Sequence, residues 1–144
     1  MLTVASSGIA ALLIPGGRTA HSRFGIPITI QCFTCGIHPK SPLAVLISKT
    51  KLIVWDEAPM MHRHCFEALD RSLRDILRND NNGRLDISFG GKVVVLGGDF
   101  WQILPVIPKG TRQEIVHATI NSSSLWNHCE VLTLTTNMRL LHGC

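Results

Sequence analysis

The order of apolar and polar residues along the 144-residue chain alternates between strand patterns and helix patterns. Leu2 to Ala5 predicts a strand that runs into the short apolar helix of "SSGIAALLI", which Pro15 and two glycines end. The apolar run Leu52 to Trp55 and the segment "KVVVL", Lys92 to Leu96, predict two fully buried strands. The segment "EVLTL", from Glu130, predicts a further strand.

Segments with helical patterns lie between these strands. Ser41 and Pro42 predict the start of a helix that ends near Lys49, and Thr111 begins a second candidate, "TRQEIVHATI". A third helix is predicted where apolar residues recur at helical spacing, at Phe66, Leu69, Leu73, Ile76 and Leu77. Its charged residues fall mostly on the opposite side, namely Arg63, Asp70, Arg71, Arg74 and Asp75. A turn at "NDNNG", residues 79 to 83, follows. This alternation predicts an α/β fold with a parallel sheet and flanking helices.

Composition restricts the class of protein further. At 45% hydrophobic and 17% charged residues, the chain predicts one globular domain with its own core. No apolar run approaches the about 18 to 20 residues that span a bilayer, so we expect a soluble protein with no membrane partner. Five irregularly spaced cysteines indicate reduced thiols rather than a secreted disulfide scaffold.

The distribution of charge is uneven. Residues 1 to 50 contain four basic residues and no acidic one, whereas the remaining chain contains ten of each. The four are Arg18, Arg23, Lys40 and Lys49. A one-signed region is typical of a surface that follows a phosphate backbone, although a mildly basic solvated face has the same composition.

Three predicted strands end in polar residues that are suited to phosphate chemistry. "WDEAPM" places Asp56 and Glu57 after a buried strand, where carboxylates can hold Mg²⁺ and orient a water, although acidic residues also favour a helix N-terminus. "VVVLGGDFWQILPV", residues 93 to 106, brings Asp99 and Gln102 into a glycine-rich loop, or else forms a capped turn with an aromatic plug. "LTLTTNMR" ends on Arg139, whose rigid guanidinium suits a phosphate.

Together these segments resemble the Pif-type (petite integration frequency) DNA helicases of superfamily one, especially their plant and Helitron-transposon branch. The resemblance covers nearly the whole chain in four motifs, Ia at 5 to 27, II at 52 to 60, III at 96 to 106 and IV at 132 to 139. It implies a RecA-like motor domain, of the P-loop NTPase class, that pairs with a second such domain. It also implies ATP-driven unwinding of DNA in the five-prime to three-prime direction.

The resemblance implies a role for each matching residue. Asp56 would hold Mg²⁺, Glu57 would act as general base, Gln102 would sense the γ-phosphate of ATP, and Arg139 would stabilise the transferring phosphoryl group. Contacts to single-stranded DNA would come from Ser6, Ser7, Gly8, Arg18, Thr19, His21 and Ser22. Phe100 and Trp101 could stack on a base, although the family commonly has arginine at position 101 and simple packing is the alternative.

The chain contains no phosphate-binding loop of the form G-x-x-x-x-G-K-[S/T]. "GGKV" at 90 to 93 lacks the Ser or Thr, and "PGGRT" at 15 to 19 has arginine in place of lysine. Because the family places that loop before the strand at Leu2 to Ala5, the chain resembles an interior piece of the first motor domain, without the first strand, the Walker A loop and the second domain.

The resemblance also implies partners and roles for a parent protein. These are ATP, single-stranded DNA and DNA junctions, in DNA repair, recombination or telomere maintenance, in the nucleus or alternatively the mitochondrion. The competing hypothesis is a catalytically inactive, truncated or transposon-derived remnant that binds nucleic acid weakly at most.

Two other constellations are weak in the sequence. Cys32 and Cys35 form a C-x-x-C pair, but no partner pair has metal-binding spacing, so a zinc site is not predicted. A thioredoxin-like redox role is not predicted either, because Cys32 does not follow a predicted strand. His117 and His128 have no suitable nucleophile nearby in sequence, so a hydrolytic triad is not supported.

Overall fold

The computed structural model describes residues 1–29, 33–83, 86–99 and 104–141. Four parallel strands form one sheet in the order β2, β1, β3, β4. They are β1 (Leu2–Ala5), β2 (Arg18–Thr19), β3 (Leu52–Asp56) and β4 (Val93–Leu96). The predicted parallel α/β fold is therefore confirmed, with β2 as an addition that was too short to show a pattern in the sequence.

The described residues form α-helices before, between and after the strands. They are α1 (Gly8–Leu12), α2 (Ala20–Phe24), α3 (Pro42–Lys49), α4 (Arg63–Ile76), α5 (Arg112–His117) and α6 (Met138–Leu141). Four short 3₁₀ segments cover Ala58–Met60, Ser88–Gly91, Ile120–Ser122 and Ser124–His128. The predicted cap at Ser41 is confirmed, because its hydroxyl accepts from the Ala44 amide at 3.2 Å. None of the helices in the described part of the chain is long and apolar enough to cross a membrane.

The main core lies between one face of the sheet and α2, α3 and α4. The strand side chains on this face are in register, so Val4, Trp55 and Leu96 lie side by side across three strands. From the helices, Phe24, Ile47, Phe66, Leu69 and Leu73 pack against them, all fully buried. The opposite face is covered only in part, because α1 packs its alanines on Ala5 while Val93 and Val95 of β4 are about half exposed.

The predicted strand from Glu130 does not form. Residues 130 to 136 make no ladder with any described strand, and every described residue from 130 onward is exposed. An apolar run becomes a strand only where a neighbouring strand satisfies its backbone groups, and the described sheet offers it none. The sequence pattern shows that the segment is apolar, but it does not show whether a neighbouring strand is available to pair with it.

Asp70 was predicted on the charged side of α4 and is instead buried. Its carboxylate accepts from the Phe89 amide at 2.6 Å and pairs with Arg74 at 2.9 Å, which satisfies both oxygens. A helical pattern cannot reveal this, because the amide comes from a loop 19 residues away.

Candidate functional site

The polar residues singled out near β1, β2 and β3 gather at the carboxyl edge of the sheet. Because the four strands are parallel, the loops that follow them emerge at one edge, which is where α/β proteins form ligand crevices. In sheet order the edge is built from Thr19 at the end of β2, Ser6 after β1, Asp56 at the end of β3 and Gly97 after β4.

Asp56 and Glu57 form a strained turn at the tip of β3. The Glu57 amide donates to Oδ1 of Asp56 at 3.0 Å, and both residues are half buried. Glu57 has φ 54° and ψ 36°, the left-handed conformation that a side chain other than glycine rarely adopts. Such backbone strain is held in place by surrounding structure and clusters at ligand sites. The turn fixes two adjacent carboxylates where the buried strand ends.

The loop after β4 is locked onto this turn by its two glycines. Gly97 donates its amide to the Trp55 carbonyl at 2.9 Å and accepts from the Ala58 amide at 2.9 Å. Gly98 has φ 150°, and a Cβ on it would lie 2.3 Å from Cδ of Pro59. Only glycine fits here, and the loop brings Asp99, which is exposed, to the same edge as Asp56.

The segment after β1 lies directly beside the carboxylate turn. The Ser6 amide donates to the Asp56 carbonyl at 3.1 Å, and the Ser6 hydroxyl accepts from Nε1 of Trp55 at 2.9 Å. The Ser7 hydroxyl caps α1 by accepting from the Ala10 amide at 3.2 Å. Gly8 is exposed, and a Cβ there would meet nothing within 4 Å.

The residues of β2 and the start of α2 continue the same edge. The Thr19 hydroxyl caps α2 by accepting from the Ser22 amide at 3.2 Å, and the Arg18 guanidinium donates to the Ser22 hydroxyl at 3.0 Å. His21 is half buried on α2. The seven predicted DNA-contact residues in the described segment therefore flank the Asp56 turn on the β1 and β2 side.

Some of the residues that the sequence singled out are not described by the structure. Phe100, Trp101 and Gln102 lie outside the described residues, as does Cys32. Arg139 lies exposed on α6 after a segment that is not a strand, so the prediction that it ends a buried strand is wrong.

The carboxylate pair fits one mode of magnesium binding. Mg²⁺ is commonly held by one or two carboxylates together with phosphate oxygens and waters, and Asp56 and Glu57 supply oxygens of that kind. In the described ranges no group of three or more His, Cys, Asp or Glu side chains could form a complete protein cage for a metal. The thiols of Cys35 and Cys65 are free, and burial raises the pKa of each to about 11.

The N-terminus of α4, which follows the carboxylate turn, carries a polar cluster that the sequence pattern did not reveal. Nδ1 of His62 caps the helix by accepting from the His64 amide at 3.1 Å, and the two imidazoles stack at 4.5 Å. Arg63 donates to the carbonyls of Ala118 and Ser122, at 2.7 Å and 3.0 Å, so α4 holds the segment after α5. Burial, together with the charges of His64 and Arg63, lowers the pKa of His62.

The sequence analysis also did not identify the hydrogen bond that Trp55 makes to Ser6 at the site. A tryptophan at the end of a buried strand carries an N–H that must find a partner, and this was the available signal.

Residues 1–143 match the family of PIF1-like helicases. The chain belongs to the PIF1-like helicase family. Among curated relatives, it is 33% identical over 128 residues to the ATP-dependent DNA helicase RRM3 of Saccharomyces cerevisiae, covering 87% of this chain and 16% of that protein. It is 34% identical over 120 residues to the ATP-dependent DNA helicase PIF4 of Trypanosoma brucei brucei, covering 79% of this chain and 14% of that protein.

Solved structures of the family share the fold. Pif1 from Bacteroides sp in complex with ADP-AlF4 matches with a TM-score of 0.68 at 28% identity, over 88% of this chain and 29% of that one. The Bacteroides Pif1 complex with ADP-AlF3 and ssDNA matches with a TM-score of 0.68 at 28% identity, over 87% and 29%. The RecA-like fold is thereby confirmed. The chain spans less than a third of each relative.

Proposed function

We propose that the chain forms part of the first motor domain of an ATP-dependent DNA helicase, with motifs Ia, II, III and IV in residues 1 to 144. One observation carries this proposal: the carboxylate turn and the candidate DNA contacts share one edge, with the Ser6 amide 3.1 Å from the Asp56 carbonyl. Packed side chains and hydrogen bonds carry energetic coupling between ligand sites, and two sites on one edge are close enough to share them.

In this proposal the β3 and β4 side of the edge serves ATP. Asp56 would hold Mg²⁺, which would neutralise charge on the phosphates. Glu57 would accept a proton from the attacking water, and its strained backbone would fix its carboxylate near that water. Gln102 and Arg139 keep the roles that the resemblance implies, sensing the γ-phosphate and stabilising the phosphoryl group.

The β1 and β2 side would serve single-stranded DNA. Hydroxyls and helix-start amides from the Ser6 and Thr19 segments suit a phosphate backbone, and Arg18 adds a positive charge. Phe100 and Trp101 remain candidates for stacking on bases. DNA junctions, the plant and Helitron-like branch, and roles in repair, recombination and telomere maintenance are inferred from the family, as is a nuclear or mitochondrial location.

We infer that the 144-residue chain alone does not hydrolyse ATP. The lysine and amides of a G-x-x-x-x-G-K-[S/T] loop do not occur in it, so the β- and γ-phosphates would be held from one side only. A general base contributes about 10² to 10⁴ in rate, but it acts only on a substrate already fixed in place.

ATP hydrolysis by two proteins tests this function. The chain alone should show no DNA-stimulated ATPase above background. A longer protein, with a GKT loop upstream and a second motor domain downstream, should gain activity that Glu57→Gln abolishes. The matched control is Glu130→Gln, an exposed residue outside the site, which should leave the activity intact.

Two results would contradict the proposal. Robust ATPase from the chain alone, lost on Glu57→Gln, would show that a phosphate-binding loop is not required. A longer protein that folds but stays inactive with and without DNA would favour the inactive remnant.

A further inference from the structure

Trp55 connects the core to the loop after β1. It is the fourth residue of β3 and is completely buried. Its ring lies 4.5 Å from the ring of Phe66 on α4 and 6.4 Å from that of Phe24 on α2. The indole is therefore fixed by packing from two helices, and its orientation is set by the core.

The polar atom of this ring is directed at the loop after β1. Nε1 of Trp55 donates to Oγ of Ser6 at 2.9 Å, and the Ser6 amide donates to the carbonyl of Asp56 at 3.1 Å. Two consecutive residues of β3 thus hold both the backbone and the side chain of Ser6.

The direction of this hydrogen bond decides what the Ser6 hydroxyl can do next. A serine hydroxyl has one hydrogen and two lone pairs, and an indole N–H can only donate. Accepting from Trp55 uses a lone pair and leaves the Ser6 hydrogen available. A phosphate oxygen accepts hydrogen bonds, so the oriented hydroxyl matches the backbone of a nucleic acid.

We propose that Trp55 is a positioning residue, which turns the Ser6 hydroxyl into a fixed donor for a phosphate of single-stranded DNA beside the Asp56 turn. This inference rests on the proposed function. The inference adds that a residue of β3, the strand that ends in Asp56, orients the hydroxyl that contacts DNA. Movement of the carboxylate turn would then be transmitted to the DNA contact through Trp55 and Ser6.

Four variants of the chain test the link: Ser6→Ala, Ser6→Thr, Trp55→Phe and the double variant Ser6→Ala with Trp55→Phe. The measurement is affinity for a fluorescent oligo-dT by anisotropy, at a temperature where circular dichroism shows each variant folded. Loss of the oriented donor should weaken binding about fivefold, the factor for one ordinary hydrogen bond. Ser6→Thr keeps the hydroxyl and should bind like the wild type. Trp126→Phe, the same change in a partly buried residue elsewhere, is the matched control.

The double variant separates positioning from a general loss of stability. If Trp55 acts through Ser6, the double variant should bind about as weakly as either single variant, because each change breaks the same bond. Effects that multiply instead would show independent actions and overturn the inference. A wild-type chain that binds oligo-dT while Ser6→Ala and Trp55→Phe bind equally well would overturn the inference alone. A folded wild-type chain that binds no oligo-dT would overturn the proposed DNA contact as well.

Discussion

At the scale of single residues, the site depends on positions whose backbone excludes most side chains. Glu57 holds a left-handed conformation without being glycine, and Gly98 lies against the ring of Pro59. The sequence predicted the carboxylate pair and the flexible glycines. It could not predict that they contact each other, because Gly98 and Pro59 lie in the loops that follow two neighbouring strands, β4 and β3.

Gly98→Ala should destabilise the chain by about 2 to 4 kcal/mol, the sum of overpacking against Pro59 and an unfavourable φ. The control is Gly16→Ala, where φ is 65° and a Cβ meets nothing within 4 Å, so about 1 kcal/mol is expected. Urea unfolding of both variants measures the difference. Equal destabilisation of the two variants would show that the Pro59 contact adds nothing.

At the scale of elements, α4 connects the carboxylate turn to the rest of the domain. The helical pattern predicted its apolar face correctly and misplaced Asp70, whose partner is the Phe89 amide. The strand predicted from Glu130 failed for the same reason. In both segments the outcome depends on a distant backbone group, which local periodicity does not report.

Asp70→Ala should destabilise the chain by about 2 kcal/mol, because the buried Phe89 amide loses its acceptor. Asp75→Ala is the control on the same helix, since Asp75 is exposed and should change stability by less than about 0.5 kcal/mol. Urea unfolding midpoints compare the two. An Asp70→Ala variant as stable as Asp75→Ala would contradict the role of this buried carboxylate.

The cap of α4 should make stability depend on pH. The pKa of His62 is lowered from 6.5 in the folded chain, first by burial and then by His64, Arg63 and His117. The unfolded chain therefore binds the proton more readily, and stability falls as pH drops below about 6.5 towards the folded pKa. Protonated Nδ1 can no longer accept from the His64 amide, so up to about 1 kcal/mol of capping is lost.

His62→Asn tests this cap, because asparagine accepts the same hydrogen bond without titrating. Urea unfolding at pH 7.5 and pH 5.5 should show a smaller loss of stability in this variant than in the wild type. An identical loss in both proteins would assign the pH dependence to other groups.

At the scale of the whole molecule, the basic residues of the first third are divided between the two edges of the sheet, with Arg18 in β2 at the predicted DNA side and Lys49 just before β3 at the opposite edge. Nε of Arg23 is buried and has no hydrogen-bond partner in the described part of the chain. Arg18 reaches Ser22 beside the same edge. That this basic region contacts DNA stays a prediction, which the charge pattern in the sequence motivates.

Affinity for oligo-dT should fall as salt rises, and Arg18→Ala and Arg23→Ala should each weaken it further. Removing one arginine that binds a phosphate should reduce the slope of log affinity against log salt by about 0.7. Lys51→Ala is the control, since Lys51 is exposed and precedes β3 at the opposite edge. An affinity that changes neither with salt nor with the arginine substitutions would contradict an electrostatic contact in residues 1 to 30.

The pairing of β3 has a consequence for how the chain folds. Leu2 pairs with Ile53, and Leu52 pairs with Val93, so each ladder closes a loop of about 40 to 50 residues before it gains any hydrogen bond. No hairpin can form first among the four described strands, because all of them are parallel. Neither ladder of β3 can form until the later of its two strands has been synthesised. β1 leaves the ribosome well before its partner β3 exists, and β3 before its partner β4. We therefore expect slow folding, with one side of β1 exposed to non-native pairing until β3 has been synthesised.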